Sequence, residues 1–126
     1  MQRKYSDSVP KIFSLNYDLI IKKLREYGKK CSNKGSILTV LIGSLANGNY
    51  TPFSDADVII ITRDKMNVLD FMPVDLPIDV EPRLYPVEKI YEMSSQKLRI
   101  VHEIINGIIL SGDIKIMDKI KKFYNE

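Results

Sequence analysis

Hydrophobic positions along the first half of the chain follow a helical period and then two runs typical of buried strands. From Phe13 to Tyr27, apolar residues recur every three or four positions, which predicts a helix whose end is expected at Gly28. Residues 36–42 and 58–61 are almost unbroken stretches of Ile, Leu and Val. Such runs indicate strands that are covered on both faces. The pattern therefore predicts a helix lying on a sheet.

The second half of the chain continues this alternation. A short helical stretch is predicted around residues 68–72, and residues 76–85 are expected to form a strand that ends or bulges near Pro82. Pro86 suits the first turn of the helix that follows.

Helical spacing from Ile90 to Ile105 is predicted to occur in two pieces, because Ser94-Ser95 can begin a second helix. A strand at residues 108–110 and a last helix capped by Asp113 complete the order. This order predicts an α/β (α+β) fold, with a mixed sheet of four or five strands and helices mainly on one face.

Composition narrows the class of protein. The 126 residues, of which 44% are hydrophobic, suit a single domain spanning residues 1–126. One cysteine and one histidine make an internal disulfide impossible and a zinc site improbable, which favours a reducing, cytoplasmic setting. The sequence contains no run of about 20 apolar residues, so no membrane span is expected. The modest net charge of +3 gives no indication of nucleic-acid binding.

Two acids at the start of the second apolar run suggest a metal site. Asp55 and Asp57 are two positions apart, so on a strand their side chains point to the same face and can share one divalent ion. Oxygen ligands without nearby His or Cys suit Mg²⁺, which one or two carboxylates and substrate phosphates usually hold.

A Gly-Ser dipeptide ten residues before the acidic pair supplies a candidate phosphate loop. Gly43 lets the backbone approach a phosphate closely, and the amides after it, with the Ser44 hydroxyl, can donate hydrogen bonds to phosphate oxygens. Gly48 would let the loop turn back, and Ser54 could bind phosphate or orient Asp55. These residues predict a binding site for a metal-bound nucleoside triphosphate.

A Walker-type phosphate loop is the main competing interpretation, since Gly43 and Gly48 have its glycine spacing. The residues that follow are Asn49 and Tyr50 rather than Lys and Ser or Thr. Without the lysine that clamps the terminal phosphates, this interpretation is rejected.

The segment from Gly43 to Asp57, with the aliphatic strand after it, resembles the signature of the DNA polymerase β-like nucleotidyltransferase superfamily, and within it the minimal nucleotidyltransferase branch. The signature covers about twenty residues, and the order of elements extends the similarity over most of the chain. The resemblance implies the polymerase β-like fold, two Mg²⁺ ions, and transfer of a nucleoside monophosphate, AMP from ATP being favoured, to a hydroxyl acceptor. Because a short chain leaves little room for an acceptor pocket, the acceptor is expected on a separate protein.

The resemblance also implies a third carboxylate on a neighbouring strand, which would bind metal or act as base. Asp79 is favoured because it lies between apolar residues, and Glu81 is the alternative. Asp55, Asp57 and Asp79 would then be both catalytic and metal-binding. Some minimal members of the superfamily modify a HEPN-type toxin as antitoxins, so an antitoxin-like binding partner with weak or no catalysis remains the alternative function.

Four further polar or aromatic residues have side chains that could serve the site. Arg83 and Lys65 could meet phosphate charge, but free surface positions are favoured for both. His102 invites a catalytic role, but a structural or surface role is favoured. Tyr50 could stack on a base or simply pack within its loop.

Overall fold

The computed structural model describes residues 17–50 and 55–126. These residues form four strands, five α-helices and one 3₁₀ turn. In chain order they are α1 (Tyr17–Asn33), β1 (Ser36–Ile42), α2 (Ser44–Asn47), β2 (Ala56–Thr62), the 3₁₀ turn (Val68–Phe71), β3 (Val80–Pro86), α3 (Val87–Ser95), α4 (Arg99–Ile105), β4 (Ile108–Gly112) and α5 (Ile114–Asn125).

The four strands form one mixed sheet in the order β3-β2-β1-β4. β1 pairs antiparallel with both β2 and β4, whereas β2 and β3 run parallel. β1 and β2 occupy the centre, which explains their continuous apolar sequences, because a central strand covered on both faces buries nearly all of its side chains. The predicted α+β class with a mixed sheet is confirmed.

Helices cover both faces of the sheet, so the expectation of helices mainly on one face was wrong. Face A is the side covered by α3, α4 and α5, and face B is the side covered by α1, α2 and the 3₁₀ turn. Alternate residues of the central strands supply the two cores: Ile59 and Ile61 of β2 pack on face A, and Val58 and Ile60 pack on face B. The alternation also places Asp57 on face A.

α1 runs five residues past Gly28, where the sequence suggested its end. A Cβ on this glycine would lie 2.8 Å from Cβ of Leu110, so Gly28 allows the helix to lie close against β4. Ser111 strengthens this contact, since its hydroxyl donates to the Gly28 carbonyl at 2.6 Å. The glycine is therefore a site of close packing and not a helix stop. Phe13, the first residue of the predicted helical pattern, lies outside the described residues.

β3 is shorter and lies further along the chain than predicted. It begins at Val80, after a bend at Pro77 and Ile78. It does not end at Pro82 but continues to Pro86. β3 lies at the edge of the sheet, where proline is tolerated because one side of the strand has no partner.

The helical stretch after β3 is divided in two, as predicted, but the two serines do not begin the second piece. Ser94 and Ser95 end α3, and the Ser94 hydroxyl donates to the carbonyl of Ile90 at 2.7 Å. Lys97 then adopts a positive φ of 58°, which separates the two helices. Asp113 caps α5 as predicted, since its carboxylate accepts from the Lys115 amide at 2.9 Å. None of the helices in the described ranges is long and apolar enough to cross a bilayer.

Candidate active site

The candidate site begins at the turn between β1 and α2. Gly43 has φ 82° and ψ −159°, a backbone conformation that is essentially restricted to glycine. Its carbonyl accepts hydrogen bonds from the amides of Ala46 and Asn47, which closes the short helix. Gly48 ends α2 in the left-handed conformation with φ 84°. The chain therefore turns sharply at both glycines of the predicted phosphate loop.

This turn lies directly against the acidic pair. Ile42, the residue before Gly43, pairs with Asp57 across the antiparallel ladder. A Cβ on Gly43 would lie 3.0 Å from Oδ2 of Asp57, so only glycine allows the turn and the carboxylate to approach this closely. Asp55 is exposed one residue before β2 begins, and Asp57 is half-buried. The two halves of the sequence motif thus meet at one end of the sheet.

A third acid comes from β3 on the other side of Asp57. In the parallel ladder Asp57 pairs with Glu81, and Ile59 pairs with Arg83. Because residues two apart share a face, Glu81 and Arg83 lie on face A with Asp57. Tyr85, two residues further, packs against the face A core, which agrees with this assignment of side chains to face A.

The electrostatic environment of Asp57 reflects these neighbours. Burial raises the pKa of Asp57 above its usual value, and the charge of Arg83 opposes the rise. The negative charge of Glu81, a hydrogen bond to its carboxyl group and the charge of Asp55 raise the pKa further. Ionisation of Asp57 therefore costs free energy in the folded protein, and a bound cation would offset that cost.

Asp79, the acid that the sequence favoured, does not act on the pKa of Asp57. It lies just before β3 and is exposed, and its backbone carbonyl accepts from the Ala56 amide at 2.8 Å. This backbone bond extends the β2–β3 ladder by one residue towards Asp55. Asp79 follows the bend at residues 77–78. The structure places Glu81 beside Asp57 in the ladder, with Asp55 two residues before Asp57, and the role of Asp79 stays a prediction.

The donor set suits a hard divalent cation. Within residues 17–50 and 55–126, no three Asp, Glu, His or Cys side chains are close enough to form a complete metal site as they stand. The residues present are nevertheless oxygen donors only, in a position where positive charge is favoured, so they fit Mg²⁺.

The other candidate residues differ in their distance from the site. Lys65 follows the opposite end of β2 from Asp57, and His102 is exposed on α4 beside Asn106. Tyr50 stacks on Tyr17 with ring centroids 4.9 Å apart, and the Tyr17 hydroxyl donates to the Leu45 carbonyl at 2.9 Å. These contacts join the start of α1 to the turn. Ser54 lies outside the described residues.

A cleft of about 390 Å³ lies elsewhere, between α1 and residues 71–76. Lys23, Lys30 and Lys34 are among its lining residues, and buried Cys31 lies at its wall. Burial raises the pKa of the Cys31 thiol, which makes it a poor nucleophile. None of Asp55, Asp57 or Glu81 lines this cleft, so the cleft is separate from the candidate site.

Comparison with known protein families identifies the family of the chain. The model of the nucleotidyltransferase domain family matches residues 18–124, which is most of the chain. The chain belongs to the nucleotidyltransferase domain family. This nucleotidyltransferase domain is consistent with the polymerase β-like superfamily that the motif indicated, and its mixed sheet flanked by helices fits that fold. No curated protein matches the chain.

Proposed function

We propose that this nucleotidyltransferase domain transfers a nucleoside monophosphate, AMP from ATP, to a hydroxyl acceptor in a reaction that needs two Mg²⁺ ions. The observation that carries the proposal is the meeting of Gly43, Asp57 and Glu81 at one end of the sheet. It combines a turn that can approach phosphates with carboxylates for which positive charge is favourable.

The nucleotide would bind on the β1 side of Asp57. Gly43 leaves room for the triphosphate, and Gly48 returns the chain towards the acids. The Ser44 hydroxyl and the first amides of α2, which precede the Ala46 and Asn47 amides bonded to the Gly43 carbonyl, donate to the phosphate oxygens. Ser54 is proposed to bind phosphate or to orient Asp55. Bound Mg²⁺ ions would stabilise charge on the attacking and leaving oxygens of an in-line displacement.

Asp55 and Asp57 would hold the ions, together with a third acid from the β3 side. The register of β3 and the pKa of Asp57 support Glu81 in that role, while Asp79 would lie one step further out beside Asp55. The acceptor oxygen would bond to the α-phosphorus as the bond to the bridging oxygen of the β-phosphate breaks. Pyrophosphate leaves, and the third acid would take the hydroxyl proton.

The acceptor is proposed to be a separate protein, with a HEPN-type partner as one candidate. Asp55, Glu81 and Arg83 are all exposed. An open site of this kind is compatible with a macromolecular acceptor. A domain that binds such a partner with weak or no transfer is the alternative outcome.

One experiment tests transfer and names the acceptor. The protein is incubated with Mg²⁺, ATP labelled at the α-phosphate and a lysate of its host, and labelled products are identified. We expect labelling that requires Mg²⁺ and is lost in Asp57→Asn, while the exposed helical control Asp118→Asn retains it. The second arm is calorimetry with Mg²⁺ and ATP. Nucleotide binding without any labelled product would favour the binding partner, and absence of both would contradict the proposed function.

A further inference from the structure

Arg83 occupies an unusual position beside the candidate site. It is exposed on β3, on face A, two residues beyond Glu81, and is paired in the sheet with buried Ile59. It therefore lies between the carboxylates and the face A core, at the outer edge of the sheet. The sequence indicated only that Arg83 could meet phosphate charge, and the pairing of β3 with β2 places it beside the acids.

The guanidinium of Arg83 is not committed to a neighbour. Among the described residues, the ion pairs within 4.0 Å are Lys23–Glu26 and Lys89–Glu92, and Arg83 makes neither an ion pair nor a side-chain hydrogen bond there. Its charge nevertheless reaches Asp57, whose pKa it lowers. A planar guanidinium carries five N–H donors in a fork that matches the two oxygens of a phosphate or a carboxylate. The group is thus available to a ligand.

The strand order indicates which substrate would use it. Gly43 and the nucleotide loop lie on the β1 side of Asp57, and Arg83 lies on the β3 side. β1 and β3 are separated by β2, and Arg83 lies three residues further along the sheet than Gly43. With strands about 4.8 Å apart and a rise of about 3.3 Å per residue, Arg83 stands roughly 14 Å from the phosphate loop. In an in-line displacement the acceptor approaches opposite the leaving pyrophosphate. Arg83 is therefore on the acceptor side.

We propose that Arg83 selects an acceptor that carries an oxyanion, a phosphate or a carboxylate, next to its attacking hydroxyl. The inference rests on the proposed function and adds a chemical class to its acceptor. Arg83 acts as a positioning residue in this role: the paired N–H donors fix the anion, and the neighbouring hydroxyl is thereby held towards Glu81 and Asp57.

The test titrates the protein with inorganic phosphate and, separately, acetate, followed by the NMR signal of the Arg83 side-chain Nε–Hε and the surrounding amides. It is done with the nucleotide site saturated by Mg²⁺ and a non-hydrolysable ATP analogue, and again without nucleotide. We expect saturable binding in the wild type, at least about tenfold weaker in Arg83→Gln and partly kept in Arg83→Lys. The control Arg63→Gln, an exposed arginine just beyond the opposite end of β2, should bind the anion like the wild type. The anion that binds more tightly distinguishes a phosphate-bearing from a carboxylate-bearing acceptor.

Three results would overturn the proposal. Wild-type protein that shows no saturable response at Arg83 to either anion has no such site. An equal loss in Arg63→Gln means general charge attraction. A tenfold loss of nucleotide affinity in Arg83→Gln assigns the arginine to the nucleotide instead. The wild-type nucleotide isotherm tests the proposed function by itself, and the titration without nucleotide tests Arg83 by itself, so the two failures are distinguishable.

Discussion

At the scale of single residues, the site depends on a carboxylate held where its charge is unfavourable. Asp57 is half-buried, faces Glu81 across the ladder and is in contact range of the Gly43 turn. Its neighbours thus oppose its ionisation, apart from Arg83. The ionised carboxylate therefore lowers the free energy of unfolding, and a bound cation would restore it, as expected of a functional site.

The raised pKa predicts the stability of Asp57→Asn. A carboxyl whose pKa is higher in the folded than in the unfolded protein lowers the free energy of unfolding once it ionises. That cost is complete above the folded pKa and absent below the unfolded value of about 3.9. Asp57→Asn should therefore have a higher Tm than the wild type at pH 7, with the difference vanishing as the pH falls below about 4. Thermal melts across this range measure it.

The effect of Mg²⁺ on the Tm gives a second test of the Asp57→Asn variant. Mg²⁺ should raise the Tm of the wild type and of the control Asp118→Asn, but not of Asp57→Asn, because a ligand stabilises only the form that binds it. A lower Tm for Asp57→Asn at pH 7 would show that the carboxylate is stabilising and that its environment has been misjudged.

Gly43 gives the second prediction at this scale. Gly43→Ala places a side chain in a conformation reserved for glycine, at a cost of about 1–3 kcal/mol, and pushes its Cβ to 3.0 Å from Asp57 Oδ2. We expect a lower Tm and at least a tenfold loss of affinity for Mg²⁺ and ATP by calorimetry. Gly35→Ala is the matched control: its φ of 123° is also unfavourable for alanine, but it faces Met66 at the far end of β1. It should lose stability while keeping nucleotide affinity, and equal losses in both variants would argue against a specific role of Gly43.

At the scale of elements, the hydrophobic pattern was sufficient to locate the central strands β1 and β2 but not the edge strand β3. β1 and β2 were predictable because burial on both faces demands unbroken apolar sequence. β3 has no fully buried residue and contains two prolines, so its start could not be located without its partner β2. Gly28 was misjudged for a similar reason: only the packing of Leu110 against it shows that the glycine is needed inside the helix.

The register of β3 also determines which acid lies opposite Asp57. Asp79 and Glu81 are equivalent in sequence, being two residues apart, and only the register decides which one is paired with Asp57. Asp55, Asp57, Gly43 and Ser44 were recognisable because they belong to one continuous segment. Glu81 and Arg83 come to the site through long-range pairing, which no local pattern reveals.

The register predicts how the two acids differ. Glu81→Gln should lower transfer by about 10²-fold or more, the effect expected for a positioned acid–base group, and Asp79→Asn should lower it less. Glu81→Gln should also lower the pKa of Asp57, because it removes a neighbouring negative charge, and Asp79→Asn should leave that pKa unchanged. Carbon-13 NMR titration of the aspartate carboxyl groups measures this without any acceptor. If Asp79→Asn shifts Asp57 and Glu81→Gln does not, the register of β3 differs in solution.

At the scale of the whole molecule, one sheet joins two cores. Alternate residues of β1 serve opposite faces, so that Leu38 packs with α3, α4 and α5, and Leu41 packs with α1 and α2. Neither core has a sheet of its own. The acids of the site project from the end of this shared sheet and depend on both layers of helices to fix the strands.

The shared sheet predicts cooperative unfolding. Leu38→Ala opens a cavity in the face A core and Leu24→Ala opens one in the face B core, each at about 2–5 kcal/mol. Both variants should unfold in one transition at a lower Tm, and Mg²⁺ with ATP should raise that Tm, since the strands carrying the site melt together with both cores. Leu69→Ala, which changes a side chain that is 70% exposed, should stay within about 0.5 kcal/mol of the wild type. Calorimetric scans of the three variants measure this, and a separate early transition in Leu24→Ala that Mg²⁺ and ATP do not move would mean that face A and the site can remain folded without the helices of face B.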